Sequence, residues 1–303
     1  MQANTHLMTM LQAVIMGLLQ GITELFPISS LGHSVILPQL LGWSQIVKAQ
    51  GANNSFFLTF LVGLHVATAA ALFVYYRKDW TQIIKGVVRT FSTRKIETHT
   101  QRLGWLLIVA TIPAGLMGLI FEHPFRTLFA KPLWASFFLF VNGIILLIGE
   151  RKRQETERGP RRIHSKNASR QLKGGHRILD TLEFKEAGVV GVAQVFALLA
   201  GISRSGITMV AGLVRGLDHE DSARFSFLLA TPIILAAGLY KLPSLFSHSA
   251  SGVRPQILIG SLAAFIAAYI SVSYLVKYFR TKNLYPFAIY SLVVGTILFV
   301  HFL

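Results

Sequence analysis

A short stretch near the N-terminus carries groups that could act on a phosphate. Glu24, Ser30 and His33 lie within ten residues, with apolar sequence on both sides. A serine hydroxyl is a candidate nucleophile, and a histidine one helical turn away is a candidate base or a nucleophile itself. Glu24 and Gln20 are four residues apart, so on a helix they share one face. Their oxygen atoms are ligands of the kind that Mg²⁺ or Ca²⁺ takes.

A second stretch, further along the chain, repeats the spacing of the first. Gln20 is followed nine positions later by Ser29, and Gln194 is followed nine positions later by Ser203. We interpret the match as an internal repeat in which a polar motif interrupts apolar sequence twice. The two repeats cover about residues 9–121 and 186–276.

The second motif adds a positive charge, because Arg204 lies inside apolar sequence. An arginine at membrane depth costs at least ~2.5–3.5 kcal/mol on insertion scales, so it should meet an anion. Glu24 is one candidate, in a purely structural ion pair, but we favour a phosphate. The serines of both motifs can cap helices whose N-termini attract anions. The candidate phosphate-binding residues are Ser29, Ser203, Ser205, Gly206 and Thr208.

The composition places these motifs in a membrane protein. Of 303 residues, 52% are hydrophobic and only 14% are charged, and the mean hydropathy is +0.54, whereas soluble domains carry about 25% charged residues. The absence of cysteine excludes disulfides and thiolate chemistry. The net charge of +16 would suggest a nucleic-acid partner in a soluble protein. In a membrane protein, the distribution of the positive charge among the loops indicates the orientation instead. We therefore expect no nucleic-acid partner.

The elements that must position the motifs are helices. Two apolar regions, 9–42 and 186–214, are interrupted by the motifs, and each half is too short to span a bilayer, which takes about 20 residues. Pro27 supports a helix break in the first. We therefore predict an all-α polytopic membrane protein with two re-entrant helix pairs and one domain over residues 1–303. The six predicted spans are 56–76, 103–121, 133–149, 225–243, 256–276 and 284–303.

The distribution of Lys and Arg predicts the orientation, because cytoplasmic loops carry an excess of both. Segment 77–102 holds seven, and the basic loop 150–185, which we interpret as a solvated connection, holds eleven. Both segments are therefore predicted to be cytoplasmic, and both termini outside. The first helix pair then enters from outside and the second from the cytoplasm. Such an inverted repeat would bring the two polar breaks together near the bilayer midplane.

The motifs also resemble those of a known family. Residues 20–24 and 26–33 resemble the (E/Q)-x-x-x-E and P-x-S-S-x-G-H motifs of undecaprenyl-diphosphate phosphatases, the bacitracin-resistance family. Residues 200–208 look like its P-G-x-S-R-S-G-x-T motif, and residues 225–230 and 286–290 fit its general pattern. The likeness runs from near the N-terminus to the C-terminus.

The resemblance implies an enzyme of the bacterial inner membrane that removes the terminal phosphate of undecaprenyl diphosphate. The product carries cell-wall precursors, and the site would open to the outer, periplasmic side. A divalent cation, Mg²⁺ or Ca²⁺, is expected on Glu24 and Gln20, although Gln20 replaces the acidic variant of the first position of the motif. The catalytic positions of the family are matched by Glu24, Ser30, His33 and Arg204.

The sequence alone leaves several alternatives open. A flippase or transporter of polyprenyl phosphates could use the same phosphate cradle, and fold alone does not separate it from an enzyme. The Ser30, His33 and Glu24 set favours the enzyme, with either Ser30 or His33 as the nucleophile. His65, in the middle of a span, either faces the site or is a packed histidine. The expected partners are the lipid substrate and the membrane, and a homodimer is compatible with the sequence.

Overall fold

The described part of the chain is built almost entirely of helices. The computed structural model describes residues 7–50, 56–129, 131–158, 172–173, 176–245 and 252–303. The first six helices are α1 (Met10–Thr23), α2 (Ser30–Leu40), α3 (Ser44–Gln50), α4 (Phe56–Tyr75), α5 (Arg77–Thr93) and α6 (His99–Phe129). They are followed by α7 (Pro132–Arg158), α8 (Phe184–Val195), α9 (Arg204–Val214), α10 (His219–Leu245), α11 (Arg254–Tyr278) and α12 (Tyr285–Phe302). Two short antiparallel strands, β1 (Leu172–Lys173) and β2 (His176–Arg177), precede α8.

Six of the described helices are long and apolar enough to cross a bilayer, namely α4, α6, α7, α10, α11 and α12. Each coincides with one of the predicted spans to within one residue or contains it, which confirms the all-α polytopic membrane fold. The largest differences in length are at α6, α7 and α10, whose helices continue into polar sequence. Hydropathy cannot detect these extensions, because a helix that leaves the bilayer keeps its backbone hydrogen bonds while its side chains become polar.

Helices α1 and α2 form the first of two short helix pairs. With 14 and 11 residues, they are about 21 and 16 Å long, against a hydrocarbon core of about 30 Å. Thr9 caps α1 in a capping box with Gln12. Ser29 caps α2 by accepting a hydrogen bond from the N–H of Gly32. Pro27 lies between the two helices, as the sequence predicts for a helix break.

Helices α8 and α9 form the second pair, with 12 and 11 residues. Gly201 lies at its tip with φ 112°, a backbone conformation that a residue with a Cβ rarely adopts. A Cβ there would also lie 2.3 Å from the carbonyl oxygen of Ala135 in α7. Ser203 then caps α9 through the N–H of Gly206. The second break therefore depends on a glycine where the first has a proline.

The two helix pairs pack in a reciprocal way. Helix α1 packs on α11, and helix α8 packs on α6. The first helix of each pair therefore lies against the last helix of the other predicted repeat, as repeats related by a two-fold axis would do. The contact is close, because a Cβ on Gly17 of α1 would lie 2.2 Å from the carbonyl oxygen of Gly260 in α11. The internal repeat itself stays a prediction.

The basic loop 150–185 is only partly described, because its residues 159–171 and 174–175 lie outside the described part of the chain. The end of the loop packs on the second helix pair. Arg177 donates to both carboxylate oxygens of Glu186 at 2.8 and 2.9 Å. Its backbone N–H donates to the carbonyl oxygen of Gly216 at 3.1 Å. This end of the loop braces the turn between α9 and α10, so the interpretation of the whole segment as a solvated connection is wrong there.

Candidate active site

The two helix pairs meet tip to tip, and Glu24 lies at their junction. Glu24 follows the last turn of α1, and its side chain is 6% exposed. Its Oε2 accepts hydrogen bonds from Ser30 Oγ at 2.5 Å and from Gln20 Nε2 at 3.1 Å. Its Oε1 accepts a hydrogen bond from Arg204 Nη2 at 2.8 Å. One buried carboxylate therefore collects donors from α1, from the start of α2 and from the start of α9.

Arg204, the first residue of α9, brings the positive charge of the second motif to this carboxylate. Its Nη1 also donates to the carbonyl oxygen of Ser226 at 3.4 Å. The side chain is 13% exposed, so the attraction to Glu24 must offset the desolvation of both ions. The structure therefore contains the Arg204–Glu24 ion pair, which the sequence analysis gave as the alternative to a bound phosphate. A phosphate that enters here would share the guanidinium group with Glu24.

Ser30 and His33 both lie in the first turn of α2, but their side chains have different partners. His33 Nδ1 lies 2.7 Å from the carbonyl oxygen of Ser29, and its Nε2 lies 2.8 Å from the hydroxyl of Tyr290. A carbonyl oxygen only accepts, so Nδ1 carries the proton and Nε2 accepts from Tyr290. Ser30 donates to Glu24 instead. Glu24, and not His33, is therefore the group in contact with the Ser30 proton.

Ser29 joins the tips of the two helix pairs. Its φ is 71°, which is uncommon for a residue other than glycine. Its Oγ accepts hydrogen bonds from the N–H of Gly201 at 3.1 Å and from the N–H of Gly32 at 3.3 Å. A Cβ on Gly32 would lie 2.9 Å from Gly201 Cα, so the backbones of the tips touch. Strain held in place by such contacts is typical of functional sites.

The hydroxyls of the second tip form a short chain at the start of α9. Ser203 Oγ lies 3.0 Å from Ser205 Oγ and accepts the N–H of Gly206 at 3.1 Å. Thr208 lies about one turn further, and its Oγ1 is 2.7 Å from Ser226 Oγ of α10. Of the candidate phosphate-binding residues in this motif, Ser203, Ser205 and Gly206 lie at the helix N-terminus. The Thr208 hydroxyl is engaged by a neighbouring helix.

His65 of α4 faces the same carboxylate from the side of the first span. Its Nε2 lies 3.6 Å from Glu24 Oε2, and its Nδ1 lies 2.8 Å from the carbonyl oxygen of Leu61. The side chain is 28% exposed, more than that of Glu24 or Arg204. The sequence left open whether His65 faces the site or is a packed histidine. In the structure its ring faces the site.

Glu24 and Gln20 are the predicted ligands of a divalent cation. Both Glu24 oxygens already accept donors, and Gln20 turns its Nε2 toward them. Gln20 Oε1 is buried without a hydrogen-bond partner among the described residues. Within that part of the chain, no group of three His, Cys, Asp or Glu side chains could hold a metal. Mg²⁺ often takes one or two carboxylates plus substrate phosphates, so the residues fit a cation that shares its ligands with a diphosphate.

Asn142 of α7, which the sequence analysis missed, holds both tips from the side. Its Nδ2 donates to the carbonyl oxygen of Pro27 at 2.9 Å and to Ser291 Oγ at 3.2 Å. Its Oδ1 accepts the N–H of Ser203 at 3.0 Å. The side chain is fully buried. Asn142 therefore satisfies backbone groups of both helix breaks, which would otherwise be unpaired at membrane depth.

Two other site residues were also missed, Tyr290 and Ser226. Asn142 had a readable signal, since an isolated amide in an apolar span commonly makes hydrogen bonds between helices. Tyr290 and Ser226 lie in stretches that fit the family pattern, but nothing local connects them to His33 or to Arg204.

Replacement of Asn142 by Leu should destabilise the protein by about 2 kcal/mol, because buried polar groups that lose their partner cost about 1–3 kcal/mol. The free energy of unfolding in detergent measures this effect. Ser136→Ala is a matched control, because Ser136 is also buried in α7 but donates within its own helix, to the carbonyl oxygen of Pro132 at 2.7 Å. Equal stability of the two variants would contradict the role of Asn142 in joining the tips of the two helix pairs.

Comparison with known proteins connects this geometry to a family. The family described as "Bacitracin resistance protein BacA" matches residues 13–297. The chain is 52% identical to "Undecaprenyl-diphosphatase 2" of Frankia alni, over 98% of this chain and 99% of the relative. It is 49% identical to "Undecaprenyl-diphosphatase" of Mycolicibacterium paratuberculosis, over 94% of each chain. It is 44% identical to "Undecaprenyl-diphosphatase" of Granulibacter bethesdensis, over 95% of each. With the paired motifs meeting at one buried site, the chain belongs to the BacA family of bacitracin resistance proteins.

Proposed function

We propose that this chain hydrolyses undecaprenyl diphosphate to undecaprenyl phosphate and inorganic phosphate. The observation that carries the proposal is the cluster of Ser30, Glu24 and Arg204 where the two helix pairs meet. It combines a hydroxyl, an acceptor for the hydroxyl proton and a cation for phosphate. The names of the relatives supply the substrate. The monophosphate produced is the carrier used in cell-wall synthesis, which accords with a family described by bacitracin resistance.

The terminal phosphate binds between Arg204 and the start of α2. A guanidinium group presents a planar fork that matches two phosphate oxygens. Ser30 and Arg204 are the first residues of α2 and α9, so two helix N-termini meet at this point. Helix N-termini favour anions. Negative charge on the phosphate is therefore compensated before the reaction begins.

Ser30 attacks the terminal phosphorus, and its proton passes along the 2.5 Å hydrogen bond to Glu24. The bond from phosphorus to the bridging oxygen breaks, and undecaprenyl phosphate leaves as an anion that needs no proton. Water then attacks the phosphoserine, the bond from phosphorus to Ser30 Oγ breaks, Glu24 returns its proton to that oxygen, and inorganic phosphate is released. His33, in the same helical turn as Ser30, accepts a proton from that water. In the alternative, His33 Nε2 attacks phosphorus and Ser30 only binds the phosphate.

A divalent cation, Mg²⁺ or Ca²⁺, is part of this proposal. Glu24 and Gln20 would hold it together with the diphosphate, since Gln20 Oε1 is a buried acceptor with no partner in the described residues. When bound, it would neutralise charge on the phosphate oxygens.

Gln20→Glu should make activity more dependent on the cation. The Gln20 amide now donates to Glu24, and a second carboxylate there would replace attraction with repulsion, which a cation relieves. We expect at least ~10-fold lower phosphate release in EDTA and recovery with added Mg²⁺. Gln39→Glu, at the exposed end of α2, is the control. A Gln20→Glu protein inactive at every Mg²⁺ and Ca²⁺ concentration would contradict a site shared by Gln20 and Glu24.

We also propose that the protein lies in the bacterial inner membrane with its site open to the outer side. The basic segments 77–102 and 150–185 support cytoplasmic loops. Helix α5 fits the cytoplasmic surface of a bilayer, because it exposes Val88 and Phe91 on one side and Arg89 on the other. The homodimer stays a prediction from sequence.

Single cysteines test this orientation, since the chain has none. Lys85→Cys in α5 should react with an impermeant maleimide only after lysis of the cells. Gln45→Cys in α3 should react in intact cells. Both positions are exposed, so a difference in labelling reports the side of the membrane. The reverse pattern would overturn the orientation. Ser165, in the basic loop, is also suitable by sequence but lies outside the described residues.

Release of phosphate from a C15 or C55 prenyl diphosphate by the purified protein tests the function. The assay needs wild type and Ser30→Ala, each with EDTA and with Mg²⁺. We expect release by wild type and almost none by Ser30→Ala. A flippase would need only a binding site for the headgroup. Movement of lipid across vesicles without phosphate release in any arm would therefore favour the flippase.

A further inference from the structure

Tyr290 forms a hydrogen bond to Nε2 of His33, the ring nitrogen whose lone pair could otherwise react. His33 Nδ1 donates to the Ser29 carbonyl oxygen at 2.7 Å, so the lone pair of the ring is on Nε2. That lone pair accepts the Tyr290 hydroxyl at 2.8 Å. The rings are also stacked, with centroids 5.9 Å apart and planes at 18°. In this state no phosphorus or water can use Nε2, whichever role His33 takes.

Tyr290 lies on the side of the site that faces the bilayer. It belongs to the spanning helix α12, and its side chain is 38% exposed. Next to this region, Tyr274 of α11 is 53% exposed and stacks on Phe26 at the tip of the first helix pair. A prenyl chain stays in the bilayer while its diphosphate reaches the buried site. Tyr290 is therefore placed between the incoming lipid and His33.

We propose that Tyr290 is a positioning residue that shields His33 Nε2 in the resting site and is displaced by the substrate diphosphate. This inference rests on the proposed function, which supplies the displacing group. The diphosphate displaces the phenol from Nε2, and the phenol turns toward the bilayer, where its ring is already partly exposed. The reactive nitrogen then becomes available only when substrate is bound.

Carbethoxylation by diethyl pyrocarbonate measures the shield directly, because the reagent attacks an unprotonated, accessible imidazole nitrogen. The purified protein is treated in detergent without substrate, and modified peptides are quantified by mass spectrometry. His301, which is exposed near the C-terminus, is the internal reference. His33 in Tyr290→Phe should react about fivefold faster than in wild type, as expected for loss of one ordinary hydrogen bond.

Two variants without the hydroxyl keep the test independent of folding. Tyr290→Phe retains the stacked ring, and Tyr290→Met removes it. His65 is partly buried, so a variant in which it is modified faster than in wild type has unfolded. The remaining Tyr290 variant then decides the test. Tyr274→Phe, which removes a hydroxyl from the neighbouring exposed tyrosine, should leave His33 at the wild-type rate. Equal His33 rates in wild type and in a folded Tyr290 variant would overturn the proposal.

Steady-state kinetics separates the shield from a merely structural role. Tyr290→Phe should lower KM for prenyl diphosphate about fivefold and leave kcat within about twofold, because the substrate no longer displaces a hydrogen bond. A fall in kcat at unchanged KM would overturn the shield and indicate structural support of His33. A chain without phosphatase activity would refute the proposed function. The carbethoxylation rates would still decide whether Tyr290 covers His33.

Discussion

Arg204→Lys should lower kcat/KM for prenyl diphosphate at least ~10²-fold, which is about 2.7 kcal/mol of transition-state stabilisation. Lysine keeps the charge but loses the planar fork of the guanidinium group. Arg204 contacts Glu24 through Nη2 and the Ser226 carbonyl oxygen through Nη1. A single ammonium group at the end of a flexible chain cannot keep these contacts and also clamp two phosphate oxygens. Initial rates of phosphate release over a range of substrate concentrations measure the loss.

The ion pair with Glu24 requires a control for structure. Arg224→Lys is suitable, because Arg224 of α10 pairs with Asp79 of α5, outside the site. It should retain near-normal kcat/KM. If Arg204→Lys also kept near-normal kcat/KM while its unfolding temperature fell, Arg204 would be a structural partner of Glu24 and not a phosphate clamp.

Local sequence was sufficient to predict the spanning helices and the two helix breaks. An apolar run of about 20 residues identifies a span whatever its neighbours are, because the bilayer supplies the apolar surroundings. Pro27 and the capping serines Ser29 and Ser203 act within one or two turns, so their effect is also readable locally. The ends of α6, α7 and α10 were not predicted, since those turns lie outside the bilayer and hydropathy no longer describes them.

The partners of the site residues were not predictable, because they come from distant parts of the chain. His33 is the base nearest to Ser30 in the downstream sequence, yet its ring contacts Tyr290, 257 positions away. The chain reverses at Pro27, so the start of α2 lies against the end of α1 and Ser30 meets Glu24. Three residues on, the helix has turned toward α12. The residue types predicted the kind of chemistry. The packing of the helices determines that Glu24, and not His33, contacts the Ser30 proton.

Ser30→Ala should lower turnover more than ~10³-fold while prenyl diphosphate still binds, because the variant lacks the attacking oxygen but keeps Arg204 and both helix N-termini. Turnover is measured by phosphate release and binding by calorimetry. His33→Ala should also lose turnover, since proton handling at water fails. If His33 is the nucleophile, Ser30→Ala should retain measurable turnover. The 2.5 Å contact of Ser30 with Glu24 favours serine, because the hydroxyl already has an acceptor for its proton.

Rapid-quench trapping with labelled substrate decides between the two nucleophiles. Phosphoserine survives acid, whereas phosphohistidine is lost in acid and survives base. We expect an acid-stable phosphoenzyme in wild type that is absent in Ser30→Ala. In His33→Ala the same species should form and persist, because attack by Ser30 uses Glu24 while removal of the phosphate by water uses His33. An acid-labile, base-stable species would assign the attack to His33 and require that Tyr290 has left Nε2. No phosphoenzyme under any quench would count against both residues and favour direct attack by water on the bound diphosphate.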